Sequence, residues 1–232
     1  MIYFDGKALE SVAPVKIEDI RVSPISMNVV ARQRPICWGA DFVRMAGGSR
    51  TVTITFALLT NDRTVRERQL MSITEWARSD TPKRLSLPFR DNMYLECVCT
   101  NLPEPSTRQW WESRLTIAFT TFDNPYWTST QEKSAACGSA VYIGGDAPPI
   151  MRIERTLSAQ ATNQSYSDGT DTMTFTTVPA GKLTIDLNRQ TADVGGTSVM
   201  QYYSYDSHFI IPQTGAQTIT GTGTVYWRER WE

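Results

Sequence analysis

His208 is the only histidine in the sequence, and with Asp206 and Ser207 it supplies the three side-chain types of a serine-hydrolase triad. Neighbouring residues on a strand point to opposite faces, so three consecutive side chains on a predicted strand cannot converge on one reacting atom. The sequence therefore favours a polar surface or turn histidine. The motifs of common hydrolases, zinc proteases, phosphate-binding loops and Rossmann folds do not occur in the sequence.

Two sets of carboxylates could in principle bind a metal or cleave a sugar. Asp168-Gly169-Thr170-Asp171 has the oxygen-rich composition of a calcium loop, but it lacks the further ligands of such a loop. Because Asp-Gly is also a preferred hairpin turn, the turn is the favoured interpretation. Asp186 and Asp193 could form a glycosidase pair, a weaker hypothesis because one sequence does not define their separation.

Two aromatic runs could stack on sugar rings or nucleobases: Trp110-Trp111 and Tyr202-Tyr203-Ser204-Tyr205. On a strand, alternate members of such a run face the core, which leaves at most half of them for a ligand. Core packing is therefore the favoured interpretation for Trp111 and Tyr203.

The four cysteines are Cys37, Cys97, Cys99 and Cys137, and their spacing gives neither a Cys-x-x-Cys pair nor a neighbouring histidine pair. This pattern indicates neither a zinc site nor a redox motif. On a strand, Cys97 and Cys99 share a face with Leu95, so we predict reduced core residues. A basic-then-apolar leader and a bilayer-length apolar run do not occur in the sequence, so we expect a protein of a reducing cytoplasm. Taken with the preceding motifs, the sequence predicts no catalytic, cofactor-binding, metal-binding or carbohydrate-binding residue.

Composition places the 232-residue chain among ordinary globular proteins, with 41% hydrophobic residues and a net charge of -1. Residues 1–125 carry 16 Lys and Arg against 14 Asp and Glu, and residues 126–232 carry 7 against 10. Neither half has the one-sided charge of a nucleic-acid or membrane binder. Eighteen of the 23 basic residues are arginines, which indicates either subunit interfaces or a genome rich in arginine codons.

Residues 1–125 read as a β-sandwich or open barrel with one helix. The clearest strand is Thr51–Phe56, and Leu115–Phe119 alternates in the same way until Phe122 falls out of phase, as a bulge would make it. Asn124-Pro125 ends that strand and marks the joint with a second domain. Further strands are expected within 15–30, as two strands or one bent strand, and at Leu85–Leu87, Met93–Cys99 and Trp111–Phe122; residues 39–48 suggest a hairpin arm.

The one predicted helix starts at a capping box, Thr64-Val65-Arg66-Glu67, in which Glu67 reaches back to the first turn. An apolar stripe at helical spacing follows it, and Pro82 lies beyond its end. We expect this stripe to pack on the domain's own sheet; it comprises Val65, Gln69, Leu70, Ile73, Trp76 and Ala77.

Residues 126–232 predict an all-β sandwich without a helix, because short alternating segments are separated by Gly, Pro, Asp and Asn. The predicted strands are Ala140–Ile143, Ile150–Leu157, Thr172–Val178, Leu183–Leu187, Val199–Tyr205, Phe209–Ile211, Gln217–Thr220 and Thr224–Trp231.

The order of these features resembles the distal tail protein (Dit) family of long-tailed, non-contractile bacteriophages. The resemblance spans the whole chain, and its most specific part is the joint Phe119 to Phe122-Asp-Asn-Pro-Tyr-Trp127. The other matching segments are Arg50–Phe56, the helix ending near Trp76, Arg108–Trp111, Leu183–Asp186, Phe209–Pro212 and Trp227–Trp231.

The resemblance implies a tail-tube-like, ring-forming domain at 1–125 and a galectin-like β-sandwich at 126–232. It implies a virion structural protein, not an enzyme, that is assembled in the host cytoplasm and forms a hexameric ring joining the tail tube to the tail tip or baseplate. DNA would pass through the ring without specific binding. The implied partners are further copies of the chain, the tail tube protein, the tail-associated hub protein and, as an additional candidate, a receptor-binding protein.

Host-polysaccharide binding through the second domain is the alternative function. The galectin pattern His-x-Asn-x-Arg is absent, since His208 is followed by Phe209-Ile210-Ile211, and a fold alone does not confer sugar binding.

Overall fold

The structure is a computed structural model that describes residues 1–33, 40–60, 62–103 and 114–232, with the backbone alone described for 27–33 and 40–47. The chain forms two compact units, Met1–Trp127 with Glu232, and Thr128–Trp231. Both are mainly β, as predicted. Among the described residues, no helix is long and apolar enough to span a membrane.

The first unit contains nine strands and two helices among its described residues. They are β1 (Tyr3–Phe4), β2 (Lys7–Ala8), α1 (Leu9–Val12), β3 (Val15–Val22), β4 (Met27–Gln33), β5 (Ala40–Gly47), β6 (Thr51–Leu58), α2 (Arg63–Ala77), β7 (Lys83–Ser86), β8 (Met93–Asn101) and β9 (Arg114–Thr120). The short helix α1 was not predicted. Strands β4 and β5 pair with each other, which confirms the predicted hairpin arm and shows that 15–30 holds two strands.

Strand β8 connects two groups of strands in the first unit. Its beginning pairs with β7, which continues to β1 and β2, and its end pairs with β9, which continues to β6 and β3. All these pairs are antiparallel. Buried and half-buried side chains alternate along the whole of β6, because its inward side chains pack beside those of β9. The inward side chains of β6 are Val52, Ile54, Phe56 and Leu58.

Helix α2 covers the buried face of this sheet with the predicted stripe, of which Leu70, Ile73, Trp76 and Ala77 are buried. Phe4, Trp76 and Phe119 form a three-ring cluster with centroids 4.9 to 6.0 Å apart. The indole Nε1 of Trp76 donates to the Lys7 carbonyl at 2.9 Å, which satisfies its one polar group. Val65 is exposed, so the stripe is one turn shorter than predicted.

The predicted capping box is wrong, because the N-cap is Asp62. Its Oδ1 accepts from the Thr64 and Val65 amides at 2.7 and 3.1 Å. Glu67 instead accepts from Arg63 at 3.1 Å, one turn along the helix surface. The N-cap therefore lies two residues before the position that the capping box predicted.

We expect Asp62→Ala to lower the free energy of unfolding by about 1 kcal/mol, because two first-turn amides lose their acceptor. Glu67→Ala should change it by only about 0.5 kcal/mol, since an exposed ion pair contributes little. Urea denaturation of both variants measures the difference. Equal losses of unfolding free energy in the two variants would support the predicted capping box instead.

Strand β9 ends at Thr120 without the bulge predicted near Phe122. The register of β9 with β6 is regular throughout, and the irregularity lies on β8, between Cys99 and Asn101. Phe122 is exposed, and Asn124 accepts the Tyr126 amide through its Oδ1 at 3.3 Å, which forms the turn over Pro125.

The second unit packs two layers around one core. The first layer is an antiparallel sheet. Its strands, in spatial order, are β11 (Lys133–Ala136), β20 (Thr224–Trp231), β13 (Ala147–Leu157), β16 (Gly181–Asp186), β17 (Thr191–Val194) and β18 (Thr197–Ser198). β10 (Trp127–Ser129) lies at the boundary between the units.

The second layer consists of two strand pairs, β12 (Ala140–Ile143) with β19 (Gly215–Thr218) and β14 (Ala161–Ser167) with β15 (Thr172–Val178). Bridges Ser167–Thr220 and Phe175–Tyr203 extend it. The two layers share one core of buried residues, including Met151, Ile153, Tyr166, Met173, Phe175, Leu183, Ile185, Ile210, Val225 and Trp227.

Two strands predicted for the second unit are not formed. Residues 199–205 contain a 3-10 turn, Met200–Tyr202, and 209–211 are extended without strand pairing. The prediction failed there because apolar and aromatic side chains alternate in a segment whose backbone bonds irregularly to β15. Strands β11, β14, β17 and β18 were not predicted. Ser, Thr, Asn and Gln dominate β14 and β18, and β11 and β17 are four-residue strands with few large apolar side chains.

A buried carboxylate joins three segments of the second unit. Glu229 on β20, 8% exposed, accepts from Lys133 Nζ at 2.6 Å and from the Gly144 amide at 2.9 Å. Burial alone would raise the pKa of Glu229, but these two donors together lower it below its usual value.

We expect Glu229→Gln to destabilise the protein near neutral pH by about 1–3 kcal/mol, because a charge-assisted bond to Lys133 is lost. A carboxylate whose pKa is lower in the folded state stabilises fully above its unfolded pKa, and this contribution is lost as the pH falls through the folded pKa. The stability difference between wild type and variant should therefore shrink in acid. Chemical denaturation from pH 7 to pH 3 measures it, and a pH-independent difference would contradict the assignment.

Candidate assembly interface

The candidate catalytic residues of the sequence make hydrogen bonds that hold the fold together. His208 is exposed, and its backbone amide donates to the Thr172 carbonyl at 3.0 Å. Ser207 is bonded through its hydroxyl to the Thr174 backbone rather than to His208. The sequence prediction of a surface histidine is correct, although it lies next to a turn and not on a strand.

Both carboxylate sets cap turns. Asp168 accepts from the Thr170 and Asp171 amides at 2.9 and 2.8 Å and closes the turn between β14 and β15, as predicted. Asp186 accepts from two amides in the turn after β16, and Asp193 accepts from the Gly196 amide. In the described parts of the chain, no group of three or more His, Cys, Asp and Glu side chains could hold a metal ion.

Of the aromatic candidates, Tyr203 packs on the core, with its ring 5.4 Å from Phe175 and 4.8 Å from Phe209. Tyr205 is fully exposed. Trp110 and Trp111 lie outside the described residues, as do residues 108–109 of the quoted motif, Gly39 and Cys37.

Cys97 is buried beside Leu95, and Cys99 on the same strand is half-buried. Burial raises the pKa of both thiols, which keeps them protonated and unreactive. Cys137 is a half-buried free thiol whose pKa is likewise raised by burial.

The charged side chains of the second unit concentrate on the outer face of its first layer. Arg152 makes a bidentate contact with Glu132 at 2.6 and 2.9 Å and donates to Glu154 at 2.9 Å. Lys182 also contacts Glu154, at 2.9 Å. These hydrogen bonds lower the pKa of both carboxyls, Arg152 being the main cause in each. The network is internally paired, which indicates a structural array rather than a reactive site.

The outer face of the sheet β3–β6–β9–β8 is rich in threonine. Thr51 faces Thr120 and Thr55 faces Thr116 with hydroxyl oxygens 3.5 Å apart, and Thr100 lies 2.9 Å from Thr120. These side chains are half-buried or exposed. The face is polar and uncharged at its centre, which suits a wall that contacts water or another subunit.

Strand β3 forms a long edge of this sheet. Among the described residues it pairs only with β6, so its other side presents unpaired backbone groups over eight residues. A bulge lies between Ile17 and Asp19. Its charges are partly paired locally, Arg21 with Asp19 at 2.6 Å and Glu18 with Arg114 at 2.5 Å.

The β4–β5 hairpin follows β3 directly and pairs with no other described strand. At about 3.4 Å per residue, its seven- and eight-residue strands make an arm roughly 25 Å long. Its base is fixed to the sheet: the Ser26 amide donates to the Ser49 carbonyl at 2.9 Å, and the Thr51 amide donates to Ser23 Oγ at 2.8 Å. A Cβ on Gly48 would lie 2.3 Å from the Ser26 carbonyl oxygen, so this close approach requires glycine.

Taken together, the first unit combines an open strand edge, a hairpin with a fixed base and an uncharged sheet face. Open edges and projecting hairpins are features that strand pairing and docking use. Sequence reasoning found the hairpin through its bracketing glycines but not the open edge of β3, because pairing along an edge depends on sheet order.

A solved structure with the same architecture is the crystal structure of the SPP1 Dit (gp 19.1) protein, described as a paradigm of hub adsorption apparatus in phages infecting Gram-positive bacteria. The superposition covers 100% of this chain and 98% of that chain with a TM-score of 0.76 at 15% identity. The chain has the Dit fold. The resemblance inferred from the sequence is thus confirmed at the level of fold.

Two structures of the phage P2 baseplate in its activated conformation, with Ca and with Sr, also align with this chain. They give 9% and 8% identity, cover 96% and 94% of this chain and 92% and 91% of theirs, and have TM-scores of 0.47 and 0.46. TM-scores below 0.5 do not establish a common fold. No protein-family model and no curated sequence matches the chain.

Proposed function

We propose that the chain is a structural protein of a phage tail tip, in which residues 1–125 form a closed hexameric ring between the tail tube and the tail tip. The observation that carries the proposal is the Dit fold over the whole length of the chain. In this proposal 1–125 is the tail-tube-like domain and 126–232 is a galectin-like domain that points toward other tip proteins.

The geometry of the first unit supports ring formation. A ring of identical subunits needs two different surfaces that complement each other. The β3 edge and the β4–β5 hairpin are two such surfaces, because both present backbone groups that no described strand of this chain satisfies. We propose that exposed positions of residues 1–125, including the segment 32–48, carry much of the ring contact.

A DNA channel is consistent with the threonine-rich face. Sequence-independent DNA binding depends on Lys and Arg facing the phosphates. The face carries hydroxyls at its centre, and Arg21 and Arg114 at its margin are paired with carboxylates. Such a wall would let DNA pass without holding it.

The proposed role is docking, without enzymatic activity. The partners we propose are further copies of the chain, the tail tube protein, the tail-associated hub protein and a receptor-binding protein, in a virion assembled in the host cytoplasm. Zymography on host cell wall tests the non-enzymatic part, and a clear zone of lysis would contradict it.

Size-exclusion chromatography with light scattering, combined with negative-stain electron microscopy, tests the ring on the full chain. We expect a species of six subunits whose fraction rises with concentration, and annular particles with a central pore. A strictly monomeric mass at the highest attainable concentration, also after mixing with the tail tube protein, would overturn the proposal.

Host-polysaccharide binding is the second candidate. The observation in its favour is that two tyrosine rings of the second unit, Tyr142 and Tyr205, are 76% and 100% exposed and could stack on sugars. Calorimetric titration of the full chain with host glycans tests it. The absence of heat would remove it.

A further inference from the structure

The outer edge of β15 is covered by a segment that is not a strand. Residues 202–208 run along it with one bridge, between Phe175 and Tyr203. The Ser204 amide donates to the Thr174 carbonyl at 2.9 Å, and the His208 amide donates to the Thr172 carbonyl at 3.0 Å. We call residues 202–208 the edge guard.

Ser207 replaces a strand carbonyl in this arrangement. The Thr174 amide donates to Ser207 Oγ at 2.9 Å, and the same hydroxyl lies 3.5 Å from the Thr174 carbonyl. The Thr176 hydroxyl donates to the Tyr202 carbonyl at 3.2 Å. The guard thus satisfies the edge through side chains as well as backbone, where an incoming strand would supply a regular ladder.

The guarded strand has the composition of a segment that pairs readily. Residues 172–178 read Thr-Met-Thr-Phe-Thr-Thr-Val, with no charge, no Gly and no Pro. Natural edge strands are commonly protected by Lys, Pro or a bulge. β15 has neither Lys nor Pro, and 156–181 and 190–227 contain no Lys or Arg at all. Protection of this edge therefore depends on the guard.

The guard is fixed at its ends and projects at its middle. Tyr203 stacks on Phe209 and contacts Phe175, whereas Tyr205 at the tip is fully exposed. Displacement of residues 204–208 would break the hydrogen bonds of Ser204, Ser207 and His208 to β15, whereas Tyr203 and Phe209 are held by their own ring contacts. The cost is a few hydrogen bonds, which an added strand would restore.

We propose that the outer edge of β15 is a strand-addition site for an extended segment of another protein, with Ser207 as the latch of the guard. The segment that fits is uncharged and rich in β-branched residues, because the edge presents threonines and the adjoining Asp171 and Asp206 would repel an acidic strand. The site lies in the second unit and does not depend on ring formation by the first.

Amide hydrogen exchange followed by NMR tests the latch. In Ser207→Ala, the Thr174 amide should exchange roughly fivefold faster, the factor expected for one lost hydrogen bond of average strength. Ser207→Thr keeps a hydroxyl and should restore the slow exchange. The matched control is Ser165→Ala, which removes a hydroxyl 3.3 Å from Thr174 Oγ1 but leaves the edge unchanged. Unchanged exchange in Ser207→Ala would overturn the assignment of the latch.

Binding of a labelled peptide, acetyl-Thr-Val-Thr-Val-Thr-Val-amide, tests strand addition by fluorescence anisotropy. Ser207→Ala should bind it roughly fivefold more tightly than wild type and Ser165→Ala, because the competing guard is weaker. A peptide of the same sequence with alternate N-methyl amides should not bind, since it cannot form the ladder. Equal affinity for the three proteins, or binding of the methylated peptide, would overturn the proposal. Thermal unfolding confirms that each variant is folded.

Discussion

Replacement of residues 28–46 by an Asn-Gly turn is expected to abolish the proposed ring and leave a monomer. The hairpin pairs with no other described strand, so its removal leaves the other sheets of the first unit intact while it deletes backbone groups that no described strand pairs. The Asn-Gly turn joins Met27 to Gly47, which already face each other in the register. Light scattering measures the change in mass.

A suitable control for the hairpin variant is Met71→Ala on α2, because this side chain is 74% exposed and lies far along the sequence from the hairpin. It should leave both the mass and the midpoint of thermal unfolding unchanged. If the shortened chain still forms six-subunit particles, the hairpin is not the ring contact and the β3 edge becomes the surface to alter.

Phe119→Ala is expected to cause the largest loss of stability among single substitutions, about 3–5 kcal/mol. The side chain is completely buried and contacts both Phe4 and Trp76, so its removal leaves a cavity among three elements: β1, β9 and α2. Guanidinium denaturation of the purified variant measures the loss.

Phe122→Ala is the matched control, because it removes the same side chain three positions along the same segment. Phe122 is 57% exposed, so the change should remain within about 0.5 kcal/mol. Similar losses for the two variants would mean that the chain leaves the core later than Thr120, as the predicted bulge would have required.

Much of the fold could be predicted where one face of a strand is buried by a regular partner. β6, β9 and β20 alternate cleanly, as β15 does up to Thr176, because each inward residue meets a core and each outward residue meets water or a polar neighbour. The stripe of α2 was predicted for the same reason. Two polar contacts were not predicted in this way. They are the N-cap at Asp62, which lies outside the predicted capping box, and the hydrogen bond from the Thr174 amide to the Ser207 hydroxyl.

Segments held by irregular hydrogen bonds, or by pairing with one particular strand, could not be predicted from periodicity. Residues 199–211 carry the aromatic and apolar residues of a strand, yet their backbone turns because Ser204, Ser207 and His208 bond to β15. Strand β14 is polar over most of its length and depends on β15 for its pairing. Such pairings require knowledge of which strands are neighbours.

No chemical site was predicted from the sequence, and in the structure Asp168, Asp186 and Asp193 cap turns. The candidate interface was only partly predictable. Residues 39–48 identified the hairpin, whereas the open edge of β3 and the guarded edge of β15 follow from sheet order.

The five lysines of the chain are Lys7, Lys16, Lys83, Lys133 and Lys182, and none lies in the layer formed by β12, β19, β14 and β15. Amine-reactive dyes, biotin esters and sensor-chip couplings will therefore attach elsewhere on the molecule. Trypsin, which cleaves after Lys and Arg, has no site between Arg189 and Arg228, so the edge guard will be released within a single long peptide.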